Sequence, residues 1–469
     1  MHIHLMAVGG TGMLALAGLL KAQGHEVTGC DTDLYPPMSD YVIRYGIETL
    51  RGFDPAHLDG RPDLVIIGNA IHADNAEARA VMDEGIPYLS MAEAIGRFAV
   101  RGRKSLVVAG THGKTTTTAL AGYLLQEAGL QPNMIVGGVA KNYDSSFLWG
   151  GGPWTVLEGD EYETAFFDKG PKFLHYAPSL LVLNNIEMDH LDNFKDLPAL
   201  ETAFVRLLGV VEPGGTILAG SESPSVRKLI PQARALEDRT VQTFGLTGSE
   251  DWTVRGVTWS SAGTRFDLLR RGDNLGRFES PLYGAHNLRD TVGALAAALV
   301  AGADREHLRT ALPGFGGVKR RQEVVFAGSG FVIVDDFAHH PTALRETIAG
   351  LRQRFEPARL VACFEPRSFT CQTNLHQDTL AAAFLGADVV RLGPIHYAPK
   401  IPSHERLDLA AVAGALVAMG KDARVMASSE DYLDELPRLM RRGDLVAFFS
   451  SGSFDSLPAR LAQILAGAP

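Results

Sequence analysis

Residues 105–117 read Ser-Leu-Val-Val-Ala-Gly-Thr-His-Gly-Lys-Thr-Thr-Thr, and this stretch decides the fold. Its first five residues form a short apolar run that predicts a buried strand. Gly110-Thr111-His112-Gly113-Lys114-Thr115 makes a glycine turn, and Thr116 opens a helix that the pattern carries to about Gly129. A glycine turn between a strand and a helix N-terminus offers backbone N–H groups to phosphate oxygens. Lys114 adds a point charge for the β- and γ-phosphates, and the Thr115 hydroxyl a ligand for Mg²⁺. Val108 stands where the full G-x-x-x-x-G-K-[ST] pattern has its first glycine, so the core G-x-x-G-K-T carries the reading.

Upstream, strand and helix signals alternate. Residues 2–8 predict a strand, Gly9-Gly10-Thr11-Gly12 a tight turn and 13–22 a helix. Strands at 26–30 and 63–68 and a helix at 76–84 complete a βαβ pattern, which builds a parallel sheet. Gly10-x-Gly12-x-x-Ala15, with Asp31 19 residues beyond Gly12, imitates the dinucleotide fingerprint. The pyrophosphate of NAD, FAD or a nucleotide sugar suits such a turn equally. An NAD-dependent dehydrogenase built on this turn leaves the GTHGKT loop without a task. His2 and His4 share one face of the first strand and are read as structural.

Downstream, a strand at 155–157 ends in Glu158-Gly159-Asp160-Glu161-Tyr162-Glu163. Another at 180–183 ends in Asn184-Asn185-Ile186-Glu187-Met188-Asp189-His190. Carboxylates at strand ends beside a phosphate loop are where Mg²⁺ is held. Turn-rich residues 210–280 predict an antiparallel subsheet, and 287–301 an alanine-rich helix. Pro313-Gly314-Phe315-Gly316-Gly317 reads as a linker and hinge. Strands at 331–334, 360–364, 388–391 and 444–449 make a third α/β unit. Its first strand ends in Asp335-Asp336-Phe337-Ala338-His339-His340-Pro341, read as a substrate or nucleotide contact rather than a separate metal site.

The chain has 469 residues, 46% hydrophobic and 21% charged, enough for about three domains. Its formal charge of −10 argues against a nucleic-acid or membrane-surface partner, since both demand a basic face. Cys30, Cys363 and Cys371 make no CxxC pair, which points to a reducing compartment, the cytoplasm. No export signal or membrane span is expected.

The ordered set GGTGM, AGTHGKTTTT, LEGDEYETAFFD, NNIEMDH, GAHN, KRRQ and DDFAHHPTA resembles the Mur ligase family over essentially the whole chain. These are ATP-dependent amide-bond-forming enzymes of peptidoglycan synthesis. The resemblance implies an α/β fold in three domains: 1–103 for UDP-N-acetylmuramate, 104–314 for ATP, and 315–469, Rossmann-like, for the peptide. It implies ATP and Mg²⁺ as cofactors and small molecules as partners, with no obligate protein partner. Gly110, Thr111, His112, Gly113, Lys114, Thr115, Thr116, Asn287, Arg321 and Asp336 would bind ATP. Thr115, Glu158 and His190 would serve the metal. Lys114, Glu158, His190 and Arg321 would be catalytic. Gly10, Thr11, Gly12, Asp31, Asn69, His339 and Arg367 would meet the other substrates.

Within the family, several segments resemble the recycling branch, which joins L-Ala-γ-D-Glu-meso-diaminopimelate to UDP-N-acetylmuramate. They are Tyr35-Pro36-Pro37-Met38-Ser39, PDLVIIGNA at 62–70, YETAFFDKGPKF at 162–173 and FEPRS at 364–368. The alternative is the branch that adds L-alanine, which usually has ES in place of Glu161-Tyr162 and lacks the FFDK stretch. Asp290 stands where the family often has an asparagine, and there is no DNPR motif of the kind a sister branch uses to grip diaminopimelate.

Overall fold

A computed structural model of the chain describes residues 1–34, 38–260, 262–395 and 401–467. Tyr35–Pro37, part of one recycling-type segment, lie outside the described residues. The remainder forms three large sheets layered with helices, and a two-stranded ribbon of Glu163–Ala165 with Asp168–Pro171. The first is five-stranded and all parallel, with strand His2–Met6 in the middle, between Glu26–Asp31 and Leu64–Ile67. Parallel sheets need both faces covered. Helix Thr11–Ala22 is almost wholly buried on one face, and Ala76–Asp83 packs on the other, where its Glu77 meets His4.

The second sheet has ten strands. Strand Lys104–Ala109 lies between Leu180–Leu183 and Trp154–Gly159, parallel to both, with Ala109 opposite Leu183 and Gly159. This register carries the function: three adjacent strands end at one level, so the loops after them converge. Only part of the 210–280 expectation holds. Thr216–Gly220 and Thr240–Phe244 join in parallel, each behind its own helix, and only Trp252–Ser260, Gly263–Arg270 and Asp273–Ser280 form an antiparallel meander. A β-rich composition does not report strand direction; the intervening helices Leu197–Gly209 and Pro224–Arg234 do.

The third sheet has six strands, five parallel and one antiparallel edge, Glu323–Gly328. The glycine-rich stretch before it is packed rather than free. Phe315 is buried against the Tyr123 ring, Gly316 N–H donates to Asn142, and Ala140 bridges to Val318. Residues up to Lys319 are thus fastened to the second sheet, because its edge offers unpaired backbone groups that the passing chain satisfies.

The first two layers share one continuous apolar core, in which Phe147 of the second packs against helix Thr11–Ala22 of the first. A Cβ on Gly18 would lie 2.3 Å from the Phe147 ring, so glycine there sets the approach. Asp144 ties the same junction to the linker: it accepts from Tyr41, Arg44 and Lys319. Among the described residues no helix is long and apolar enough to cross a membrane.

Candidate active site

Where the three strands end, one cavity of about 750 Å³ opens between all three layers. The first layer contributes Gly10, Thr11, Gly12 and Asn69. The second contributes Thr111, His112, Gly113, Lys114, Thr115, Thr116, Glu158, His190 and Asn287, and the third Arg321, Asp336 and His339. Gly110, Asp31 and Arg367 are not part of this lining. Gly110, at φ +132, leaves no room for a Cβ beside the Asn185 backbone. Asp31 accepts the Gly9 N–H at 2.8 Å and so fixes the first glycine turn from behind.

The phosphate loop is built on charge pairs. Lys114 Nζ lies 2.8 Å from Glu161 and 2.7 Å from the Gly110 carbonyl. Burial opposes its charge, but Glu161, Asp160 and Glu158 outweigh burial and hold the ammonium above its ordinary value. Thr115 Oγ1 donates to Glu158 at 3.0 Å, and Gly137 N–H donates to the other Glu158 oxygen at 2.7 Å. Burial pushes the Glu158 carboxyl up against the pull of Lys114 and these donors. His190, at φ +60, turns Nε2 to Glu161 at 3.1 Å and Nδ1 to the Tyr162 hydroxyl. Burial opposes its charge too, yet Glu161 and Asp189 raise its pKa.

Helix Ala285–Val300 brings a buried carboxyl beneath the loop. A Cβ on Gly113, at φ +79, would sit 2.3 Å from Asp290 Oδ1. Burial pushes the Asp290 carboxyl well above its ordinary pKa, against the pull of Arg289. Asn287 on the same helix donates to the Tyr283 carbonyl at 2.7 Å.

The third layer closes directly on the loop. Arg321 lies 3.3 Å from Thr115 Oγ1, with its guanidinium over the Phe337 ring at 4.3 Å. Asp336 is spent on backbone: it accepts from Gln322 and Ala338 N–H and so shapes the Arg321 turn. Asp189 faces His339 at 3.6 Å, Glu187 lies between His112 and His340, and Arg289 pairs with Glu346 at 2.8 Å. Glu161, Glu187, Asp189, Asp290 and His340 are site residues that the sequence reading did not single out individually. Four lie inside motifs it quoted, and Asp290 it marked only as a departure.

Models of the Mur ligase family match residues 2–103 (catalytic domain), 154–298 (middle domain) and 320–452 (glutamate ligase domain). The chain belongs to the Mur ligase family and is an ATP-dependent ligase. It is 36% identical, over 99% of its length and 98% of the relative's, to UDP-N-acetylmuramate–L-alanyl-γ-D-glutamyl-meso-2,6-diaminoheptandioate ligase of Escherichia coli K12. It is 32% identical, over 99% and 97%, to UDP-N-acetylmuramate–L-alanine ligase of Novosphingobium aromaticivorans. A crystal structure of a murein peptide ligase from Psychrobacter arcticus superposes with TM-score 0.74 at 30% identity, covering 100% of this chain and 99% of that one.

Proposed function

We propose that this ligase joins L-alanyl-γ-D-glutamyl-meso-diaminopimelate to the lactyl carboxylate of UDP-N-acetylmuramate, in the recycling of peptidoglycan. The observation that carries the reading is the full-length 36% identity to a ligase of that name, against 32% to the L-alanine ligase. The Tyr162-to-Phe167 stretch supports it: Tyr162 holds His190, and Phe167 packs edge-on against Tyr88 of the first layer at 5.1 Å.

The first layer would hold UDP-N-acetylmuramate at Gly10–Gly12, the second ATP, and the third the peptide. A carboxylate oxygen is a poor leaving group, so ATP first converts the lactyl carboxylate to an acyl phosphate. The carboxylate oxygen attacks the γ-phosphorus and ADP leaves. The peptide's neutral α-amine then attacks the acyl carbon, and phosphate departs as the amide forms. Lys114 would exchange Glu161 for the γ-phosphate, and Arg321 would reach it from the closed third layer; both stabilise charge on the transferring group. The remaining rate comes from holding the reactants together and away from water.

The Thr115 hydroxyl and Glu158 carboxylate form the oxygen pair that Mg²⁺ prefers, so the residues fit that ion. When bound, Mg²⁺ would neutralise charge on the nucleotide's phosphates. His190 has both ring nitrogens engaged, so it would act beside the metal by holding Glu161 in place. ATP and nucleotide-sugar substrates assign the reaction to the cytoplasm, with these small molecules as its partners.

Phosphate release from ATP with UDP-N-acetylmuramate and Mg²⁺ tests the reading, with either the tripeptide or L-alanine as amine. Release with the tripeptide alone supports it. Release with L-alanine alone assigns the chain to the biosynthetic branch.

A further inference from the structure

Away from the cavity, the first layer holds a second cluster of chemically capable side chains. His4 comes from the middle strand and Cys30 from its neighbour Glu26–Asp31. His57 comes from the short helix Pro55–Leu58, and Glu77 from helix Ala76–Asp83. Four separate elements thus send one donor each to one point. His4 Nε2 lies 3.0 Å from Glu77 Oε1, His57 Nδ1 3.1 Å from Oε2, and Cys30 Sγ 3.4 Å from both oxygens. All the donor atoms lie within 4.8 Å of one another. None of the four lines the catalytic cavity.

We propose that His4, Cys30, His57 and Glu77 form a structural site for a divalent transition metal, Zn²⁺ by donor chemistry. A tetrahedral zinc ion, with bonds of about 2.0–2.3 Å, sets neighbouring donors roughly 3.3–3.8 Å apart, so the cluster needs only small adjustments. Charge fits as well. A thiolate, a carboxylate and two neutral imidazoles balance one divalent cation, which is what a buried site requires. One sulfur and two nitrogens select zinc-like ions over Mg²⁺. The Thr28 hydroxyl lies 2.9 Å from His4 Nδ1 and so orients the ring with Nε2 inward, as partners of metal-bound histidines do. His57 is the one member with partial exposure, 14%, and gives the ion a way in.

Loading displaces the Cys30 thiol proton to solvent as the sulfur–metal bond forms. The ion would then pin two strands and two helices together. Cys30 also accepts, through its carbonyl, the N–H groups of Ala7 and Val8 at 2.9 and 3.1 Å. The site therefore steadies the chain entering the Gly9–Gly12 turn.

The test strips the full-length protein with a chelator and titrates it with Co²⁺ alone. The expected result is one equivalent giving a visible d–d band together with a near-ultraviolet thiolate charge-transfer band, both bleached by Zn²⁺. His112, Glu187 and His340, the other cluster of three or more His, Cys, Asp or Glu donors among the described residues, contain no cysteine and cannot give the thiolate band. Cys30→Ser should abolish that band. His57→Gln, on a partly exposed short helix, should retain the native circular dichroism and weaken Co²⁺ binding by at least about 10-fold. The melting temperature should rise on loading in the native protein and not in Cys30→Ser. A stripped protein that gives no thiolate band, or a band that survives Cys30→Ser, overturns the proposal. So does unchanged Co²⁺ affinity in a folded His57→Gln.

Discussion

Two strand–turn–helix units in this chain share a backbone plan and differ in charge. His2–Met6 leads through Gly9–Gly12 into helix Thr11–Ala22, and Lys104–Ala109 leads through Gly110–Gly113 into helix Lys114–Glu127. Both expose glycine N–H groups at a helix N-terminus, the ordinary means of binding phosphate. At the first turn a single carboxylate, Asp31, holds Gly9 from behind. Around the second stand Lys114, Glu158, Glu161 and, across the interface, Arg321. The difference matches the proposed tasks. A pyrophosphate that does not react needs only to be anchored, whereas a γ-phosphate in transfer needs its developing charge met.

The largest break should come from Lys114→Ala. It removes the charge nearest the transferring phosphate, and kcat in the phosphate-release assay should fall by about 10²–10³-fold. The paired substitutions Gly113→Ala and Gly10→Ala sharpen the contrast. At Gly113 the new Cβ meets Asp290 at 2.3 Å in a left-handed backbone, a strain of about 1–3 kcal/mol. ATP binding, measured by calorimetry, should weaken about 5- to 150-fold. Gly10 has φ −68 and its nearest neighbour stands 3.8 Å away, so alanine there should leave ATP affinity unchanged.

A smaller effect is expected from Asp31→Ala. Losing the hydrogen bond that holds Gly9 costs about 1 kcal/mol, which is about a fivefold rise in KM for UDP-N-acetylmuramate at constant kcat. A further prediction concerns pH. Burial lowers His286 to about 4, and its buried Nδ1 has no hydrogen-bond partner among the described residues. A folded-state pKa below the unfolded 6.5 means the unfolded chain binds the proton more readily. His286 therefore costs no stability above pH 6.5 and destabilises progressively as pH falls from there towards 4. The melting temperature of His286→Asn should decline less steeply over that window than that of the native protein.

Much of this plan is legible in the sequence, because each turn is local. A strand, its glycines and the start of a helix are adjacent in sequence, and the polar stretches that begin at Glu158 and Asn184 each follow directly on their own strands. What sequence does not carry is which distant groups those loops meet. Asp290 beneath Gly113, His340 beside Glu187 and Glu346 on Arg289 depend on how layers dock. The glycine-rich stretch 313–317, read from sequence as a linker, is packed in the structure for the same reason. Glycines report local freedom, but Asn142, Tyr123 and the Ala140 bridge, all distant in sequence, remove it.

The most direct test titrates two ligands, a non-hydrolysable ATP analogue and UDP-N-acetylmuramate, into the native protein, Lys114→Ala and Asp31→Ala by calorimetry. If the two turns hold two different phosphates, Lys114→Ala weakens only the nucleotide and Asp31→Ala only the UDP-sugar. UDP-N-acetylmuramate affinity that ignores Asp31 and falls with Lys114 would contradict the account.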